Sequence, residues 1–309
     1  MTTPTALVVL NPVAGPGDDH TSLRRAIEDH LTQHGWHYNI HETAEDEDVT
    51  ARVTQALEND YTAVIAAGGD GTVSAVAGAL VSRDTPLLIL TAGTGNALAR
   101  ELDIPLDLEA ALGLLTSGEG LTLGEGPQRT RAVDAFRVAD THHFLNLSIG
   151  ASAAATADTS RPQKQRLGLL AYLLVGAQKL IGLQPARFRL TVDGRTQTVR
   201  AADIIVANSG TVALSALQLA PDVTPDDGRL AVCVIRARTG LAYLGALVAA
   251  LLGRDRSRGI DCQHATRTIS IEAKGDLPVQ ADGDPLGCRQ VTAHVVRVIV
   301  PPATTDDGP

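Results

Sequence analysis

Residues 63–80 read AVIAAGGDGTVSAVAGAL. Small apolar residues run straight into Gly68, Gly69, Asp70, Gly71 and Thr72, and a second apolar stretch follows. A strand that stops in glycines and gives way to a helix makes an anion site. Backbone N–H groups at the helix N-terminus point outward, and the helix dipole favours negative charge. Glycine lets a phosphate come close to the backbone and supplies positive φ where the turn needs it. The pattern returns in LTAGTGNALA, around Gly93, Thr94, Gly95 and Asn96, and a third small-residue loop, LNPVAGPGD with Asn11, follows the first apolar run. Neither the GxGxxG nor the GxxxxGK[ST] pattern occurs at these loops. The carboxylate narrows the chemistry. An acid beside a phosphate is repulsive unless it holds Mg²⁺ or takes a proton, so Asp70 points to metal-assisted phosphoryl transfer. The alternative is a set of ordinary βα turns with Asp70 as a helix N-cap.

A second acidic group lies near the end of the chain. QADGDPLG places Asp282 and Asp284 two apart around a glycine, at the end of a strand-like run. In an extended chain both point the same way, and paired carboxylates suit a metal or a shared proton. A hairpin turn with two solvated acids is the alternative. PDDG at 225–228 is a turn signal in its own right. The histidines, including His142 and His143, have no metal-type spacing and receive no role.

These groups must be carried by regular elements. TALVVLNP is a short apolar strand stopped by Asn-Pro, residues 21–34 have helical spacing, HYNIHE alternates, 47–58 is helical, and YTAVIAA and PLLILT are continuous apolar strands. Val73, Val76, Ala77, Leu80 and Val81 share one helix face. This alternation of strand and helix predicts a doubly wound parallel sheet with all three loops at its carboxyl edge. The rhythm changes near residue 127. TRAVDAFRVAD, THHFLNLSIG, ARFRLTVDG, RTQTVRAADIIVANS, GRLAVCVIRA, TRTISIEAK and LPVQADG are strand-like, with an Asp-Gly hairpin signal in TVDGRTQTV and helices near 165–182 and 239–252. The fold expected is α/β plus β-rich: an α/β domain over 1–127 and an antiparallel β-sandwich domain over 128–300. A last strand near 294–302 either stays in the second domain or returns to the first. The tail ATTDDGP reads as disordered.

Composition bounds the partners. The 309 residues are 44% hydrophobic and only 3% aromatic, so the core is mainly Ala, Val, Leu and Ile. A net charge of −9 argues against a nucleic-acid partner. Cys233, Cys262 and Cys288 lie far apart and read as free thiols in a reducing compartment. The N-terminal stretch is not a signal peptide. The longest apolar stretches fall short of the roughly 20 residues that span a bilayer, so a cytoplasmic protein that visits the inner face of the membrane is expected. Arg254, Arg256 and Arg258 follow an apolar helix, and Lys164, Arg166 and Lys179 lie near the ends of the 165–182 helix. Such residues either contact anionic lipid or are simply solvated. A homodimer is one assembly open to the chain.

Taken together, GGDGT with NPVAG upstream and GTGNALAR downstream resembles the diacylglycerol kinase catalytic domain, which bacterial diacylglycerol kinases share with sphingosine and ceramide kinases. NAD kinases and phosphofructokinases share GGDG but not the GTGN segment in this form. KQRLGLLAYLLVGAQKL is similar to the family's lysine–glycine–tyrosine helix, NSGTVALSALQLAPDVTPDDGRLAVCVI to its central segment, and VQADGDPL to its DGE element. The resemblance implies an ATP- and Mg²⁺-dependent lipid kinase of phospholipid metabolism, acting on diacylglycerol or a related long-chain lipid at a membrane surface. Asn11, Gly68, Gly69, Asp70, Gly71, Thr72, Gly93, Thr94, Gly95 and Asn96 would hold ATP between the domains. Asp282 would be the general base, with Asp70 its rival, and Asp284, where the family has glutamate, would hold Mg²⁺ or orient the base. Asp227, with carbonyls near Thr224 and Arg229, would form a structural Mg²⁺ site. Val212, Ala213 and Leu214 stand where members carry glycines. A kinase of a soluble alcohol, like NAD kinase, and a nucleotide-binding regulator without turnover are the other readings.

Overall fold

A computed structural model describes residues 3–14, 20–93, 95–116, 130–157, 184–208, 211–212, 217–220, 222–251, 259–286 and 290–300. The chain divides into two compact units, 1–133 with 296–309, and 134–295.

The first unit alternates strand and helix: β1 (Thr5–Leu10), α1 (His20–Gln33), β2 (His37–Glu42), α2 (Val49–Ala56), β3 (Ala63–Gly68), α3 (Asp70–Ala79), β4 (Leu87–Thr91), α4 (Ala97–Glu101) and α5 (Leu108–Thr116). The sheet is parallel throughout, in the order β2-β1-β3-β4. β1 from Ala6 onward and β3 throughout are apolar and buried, as strands covered on both faces must be. β2, at the edge, alternates, as HYNIHE does. The order reverses between β1 and β3, which makes the carboxyl ends of these two strands the switch point where such sheets open a crevice.

The remaining strands are β5 (Arg131–Val138), β6 (Thr141–His143), β7 (Asn146–Gly150), β8 (Ala186–Val192), β9 (Arg195–Ala201), β10 (Asp203–Ala207), β11 (Thr211–Val212), β12 (Leu217–Gln218), β13 (Leu230–Ile235), β14 (Ile260–Ala265), β15 (Thr268–Ala273), β16 (Val279–Ala281), β17 (Asp284–Leu286) and β18 (Gln290–Val300). Helix α6 (Ala151–Ala157) follows β7, and α7 (Gly240–Leu251) follows β13. Two six-stranded sheets, β14-β13-β10-β7-β16-β17 and β6-β5-β18-β15-β8-β9, form a sandwich. Its interior is Phe136, Phe188, Leu190, Ile204, Val206, Val232, Ile269, Ile271 and their neighbours. Strand period does the sorting. In β10, Ile204 and Val206 enter this interior, while Ile205 and Ala207 face the opposite way, into a second cluster with Tyr243, Ala246 and Ala250 of α7.

Two runs that read as single strands are each two. RTQTVRAADIIVANS gives β9 and β10 in different sheets. The change of sheet falls at Ala202, whose carbonyl is so close to Gly150 (φ +125°) that a Cβ there would lie 2.4 Å from it. THHFLNLSIG breaks into β6 and β7 at Phe144 and Leu145. The Asp-Gly hairpin is present between β8 and β9, with Asp193 and Gly194 both at positive φ. The segment 165–182 lies outside the described residues.

The free-thiol expectation is overturned for two of the three cysteines. Cys233 and Cys262 stand directly opposite in the β13–β14 register and form a disulfide. Twenty-nine residues of separation conceal the pair in the sequence, because only the antiparallel register brings the two together. The inference of a reducing compartment loses that support. Cys288 lies outside the described residues.

Asp203 is buried completely at the start of β10. Its carboxylate accepts a hydrogen bond from the Tyr243 hydroxyl of α7 at 2.7 Å and one from the Ser152 N–H of α6 at 3.0 Å. Burial pushes its pKa up to about 6, although these bonds oppose the shift. A raised carboxyl pKa favours the native state at low pH and loses that contribution as pH rises through the native value. Relative to Asp203→Asn, the wild-type chain should therefore lose on the order of 2 kcal/mol of stability as pH rises from about 4 to about 7. Urea unfolding of both proteins across that range reads it directly, and parallel curves would remove the assignment.

Candidate functional site

Three loops meet the carboxyl edge of the first sheet, and their backbones lock together. After β1, Asn11 donates its N–H to the Ala67 carbonyl at 2.9 Å and its side-chain amide to the Thr72 hydroxyl at 3.0 Å, and accepts from the Val13 N–H at 3.1 Å. After β3, a Cβ on Gly68 would lie 2.7 Å from Thr72 Cβ. After β4, a Cβ on Gly93 would lie 2.7 Å from Gly69 Cα, so only glycine permits this approach of two main chains. Asn96 takes the left-handed conformation (φ +48°) and donates its side-chain amide to the Gly93 carbonyl at 2.8 Å. Thr94 lies outside the described residues.

Asp70 links the two glycine loops. Its Oδ1 accepts the Ala97 N–H at the start of α4, at 2.6 Å, and its Oδ2 lies where a Cβ on Gly95 would be 2.5 Å away. It is not the N-cap of its own helix. That position is Gly69, which makes no side-chain cap bond, so α3 begins without a capping side chain. An uncapped helix start beside small residues is the geometry that receives a phosphate.

The second acidic element differs from its extended-chain reading. Asp282 (φ +50°) and Gly283 (φ +93°) form the two-residue turn of the β16–β17 hairpin. The turn breaks the strand period, so the two acids do not share a side. Asp282 is turned inward: its Oδ2 accepts the Phe144 N–H at 2.9 Å, and its Oδ1 accepts those of Leu145 and Asn146, each at 3.0 Å. Two of these amides, of Phe144 and Leu145, lie in the break between β6 and β7, and the third opens β7. Asp284 is exposed at the start of β17.

Two helpers of Asp282 were not found from sequence. His143, buried and stacked on Phe136, brings its Nδ1 to 3.7 Å from Asp282 Oδ2. Gln280 holds the turn from below, accepting the Gly283 N–H at 2.8 Å and donating to Ser148 and Asn146. Neither residue type signals such a role without the pairing of β16 with β7.

The comparisons with known proteins decide the family. Residues 5–124 match the model of the diacylglycerol kinase catalytic domain. Residues 146–308 match that of the YegS C-terminal NAD kinase beta sandwich-like domain. Lipid kinase YegS of Escherichia coli K12 is 30% identical over 308 residues, covering 97% of each chain. The chain belongs to this family of lipid kinases. A crystal structure of a diacylglycerol kinase from Bacillus anthracis str. Sterne matches with a TM-score of 0.70 at 20% identity, over 97% of each chain, and shows the same fold.

The kinase family's loop at 224–229 closes on itself. Asp227 accepts the Arg229 N–H at 2.8 Å and the Thr224 N–H at 3.3 Å, and the Arg229 guanidinium lies 3.8 Å from its Oδ2. The buried carboxylate of Asp134, in β5, accepts the Gly228 N–H, and its own N–H bonds the Pro225 carbonyl at 2.6 Å. Sequence reasoning missed Asp134, whose signal is one acid in an otherwise apolar strand core. One carboxylate with loop carbonyls is a hard oxygen set of the kind Mg²⁺ takes. Among the described residues no three His, Cys, Asp or Glu side chains cluster as a metal site.

The Gly69–Gly93 contact has a direct test. Gly93→Ala must push the two main chains apart, and should weaken ATP binding by at least about tenfold, as for loss of a positioned phosphate cradle, while thermal unfolding stays cooperative. Calorimetric titration of both proteins with ATP checks it; equal affinities would contradict the cradle.

Proposed function

We propose that this kinase transfers the γ-phosphoryl group of Mg²⁺·ATP to the hydroxyl of diacylglycerol or a closely related long-chain lipid presented at a membrane surface. The observation that carries the reading is the interlocked trio of loops at the switch point of the first sheet, with an uncapped helix start and Asp70 between the two glycine loops. Phosphoryl transfer needs little covalent help from a protein and much positioning and charge neutralisation. The glycine loops, Asn11 and Thr72 supply positioning for the phosphates. Asp70 is held by one oxygen and keeps lone pairs on the other for a phosphate-bound Mg²⁺.

Three carboxylates compete for the proton of the acceptor hydroxyl. Asp70 and Asp282 both commit oxygens to backbone amides. Asp284 is exposed. We assign Asp284 as proton acceptor and Asp282 as the residue that holds the hairpin carrying it. Asp227, with the Thr224 and Arg229 carbonyls, would hold a Mg²⁺ that fastens its loop. The E. coli relative is named a lipid kinase, which supports a lipid acceptor.

The test is transfer from labelled ATP to a panel of lipids in mixed micelles with Mg²⁺. A labelled phosphatidic acid or its close analogue is expected. Asp284→Asn should lower kcat by about 10²-fold or more with KM for ATP little changed, as for loss of a general base. Asp282→Asn should lower both activity and stability. Transfer only to a soluble alcohol, or tight ATP binding with no acceptor, would overturn the reading.

A further inference from the structure

Between β6 and β7 the chain passes from one sheet of the sandwich to the other through Phe144 and Leu145. Phe144 is buried and Leu145 half-buried, so the main-chain groups of this step need partners. Asp282 takes the N–H groups of Phe144, Leu145 and Asn146, and its own N–H returns to the Asn146 carbonyl at 2.8 Å. The carbonyls go to a different residue. Asn208 donates its side-chain amide to the Phe144 carbonyl at 3.0 Å and its main-chain N–H to the Leu145 carbonyl at 2.9 Å. Two successive peptide groups, Phe144–Leu145 and Leu145–Asn146, are thus held at both ends. Asn208 holds each C=O, and Asp282 holds each N–H.

Asn208 follows directly on β10, whose five residues are all buried and which pairs with β7 on one side and β13 on the other. The β10–β7 register ends with Ala207 opposite Asn146, so the Asn208 N–H carries the pairing one step beyond β7. Asn208 is itself completely buried. Its amide nitrogen has two hydrogens, and the second goes to the Asp134 carbonyl of β5. Two carbonyl partners fix which end of the amide is nitrogen. Asp134 in turn holds the 224–229 loop, through the Gly228 N–H and the Pro225 carbonyl. One side chain therefore joins that loop to the β6–β7 break and, by way of Asp282, to the hairpin that carries Asp284. The other end of the amide is unmatched: Asn208 Oδ1 is buried with no hydrogen-bond partner. A buried acceptor left without a partner lowers stability. What this asparagine supplies is its donors, and through them the placement of the break.

We propose that Asn208 is a positioning residue for phosphoryl transfer, which holds the main chain behind Asp282 so that the hairpin keeps Asp284 in place. The proposal rests on the reading of Asp284 as proton acceptor and adds the residue that fixes its support. Asn208 is not a catalytic residue, because it acts only through the break, Asp282 and the hairpin. Transfer depends on placement, and an error of about 1 Å at a reacting group lowers the rate by up to about 10²-fold.

The experiment compares Asn208→Ser with Val206→Ala in the full chain. Val206 lies two positions earlier in β10, in the sandwich interior, and its truncation lowers stability without removing a bond of Asn208. Asn208→Ser is expected to lower kcat at least about tenfold with KM for ATP within about twofold of wild type. Val206→Ala should leave kcat near wild type at a comparable loss of thermal stability. In an Asp284→Asn background, Asn208→Ser should lower kcat by no more than about threefold further, because both changes act at one hairpin. If Asn208→Ser does not fold, Asn208→Gln, which keeps both donors but displaces them by a methylene, should show a smaller kcat loss of the same kind. Wild-type kcat in a folded variant would overturn the proposal. So would a kcat loss matched by Val206→Ala, or a full loss added to that of Asp284→Asn. A wild type that phosphorylates no lipid, or an Asp284→Asn variant with wild-type kcat, sinks the kinase or proton-acceptor reading instead. The ¹⁵N amide resonances of Gly283 and Asp284, recorded without nucleotide, then decide whether Asn208 holds the hairpin. They should move in Asn208→Ser and stay in Val206→Ala, and unmoved resonances in Asn208→Ser would overturn the proposal.

Discussion

The approach of Gly69 to Gly93 is the constraint on which the first unit's site depends. Two loops that end different strands come so close that a Cβ on Gly93 would lie 2.7 Å from Gly69 Cα. Asp70 then spans them, bonding the first turn of α4 from the first turn of α3. Parallel pairing of β3 with β4 makes this possible by ending both strands at one level, with Gly68 opposite Thr91. The switch between β1 and β3 brings Asn11 to the same edge, where it bonds Thr72. Backbone amides held in this way need little reorganisation when an anion arrives, which is what electrostatic preorganisation requires of a phosphoryl-transfer site.

The second unit solves a different problem with similar means. Its strands pair at long range, and a hairpin bearing acids must be held against a sheet. The inward turn of Asp282 does this by taking the amides of Phe144 and Leu145 in the β6–β7 break and of Asn146 at the start of β7. One side chain thus satisfies the main chain and fixes the position of Asp284. Asp203 plays the corresponding part on the other side of the sheet, tying α6 and α7 to β10.

Much of this was legible in the sequence. Continuous apolar runs gave β1, β3 and β4, and glycines after them located the loops. Strand-like runs after residue 127 gave the sandwich strands, and Asp193-Gly194 marked its hairpin. What escaped was whatever depends on register. Cys233 and Cys262 are joined because β13 and β14 pair as they do. The hairpin alternative holds for the Asp282–Asp284 element, but with Asp282 bound to main-chain amides instead of solvated, and the N-cap alternative for Asp70 fails because its carboxylate bonds the first turn of the next helix. Asp134, Asp203 and His143 are single polar residues in apolar surroundings, and their partners lie between 40 and 139 positions away. Local pattern carries no information about partners at that distance.

The kinase site of the first unit requires that nucleotide phosphates sit on the glycine loops. The most direct measurement is the change in backbone amide resonances of the ¹⁵N-labelled chain when a non-hydrolysable Mg²⁺·ATP analogue is added. The amides of Gly69, Gly71, Gly93 and Gly95 are predicted to shift most, with Asp70→Asn reducing the response. Shifts confined to the cavity beside β2 and α2, around Asn39, Arg52 and Tyr61, with the glycine amides unmoved, would contradict it.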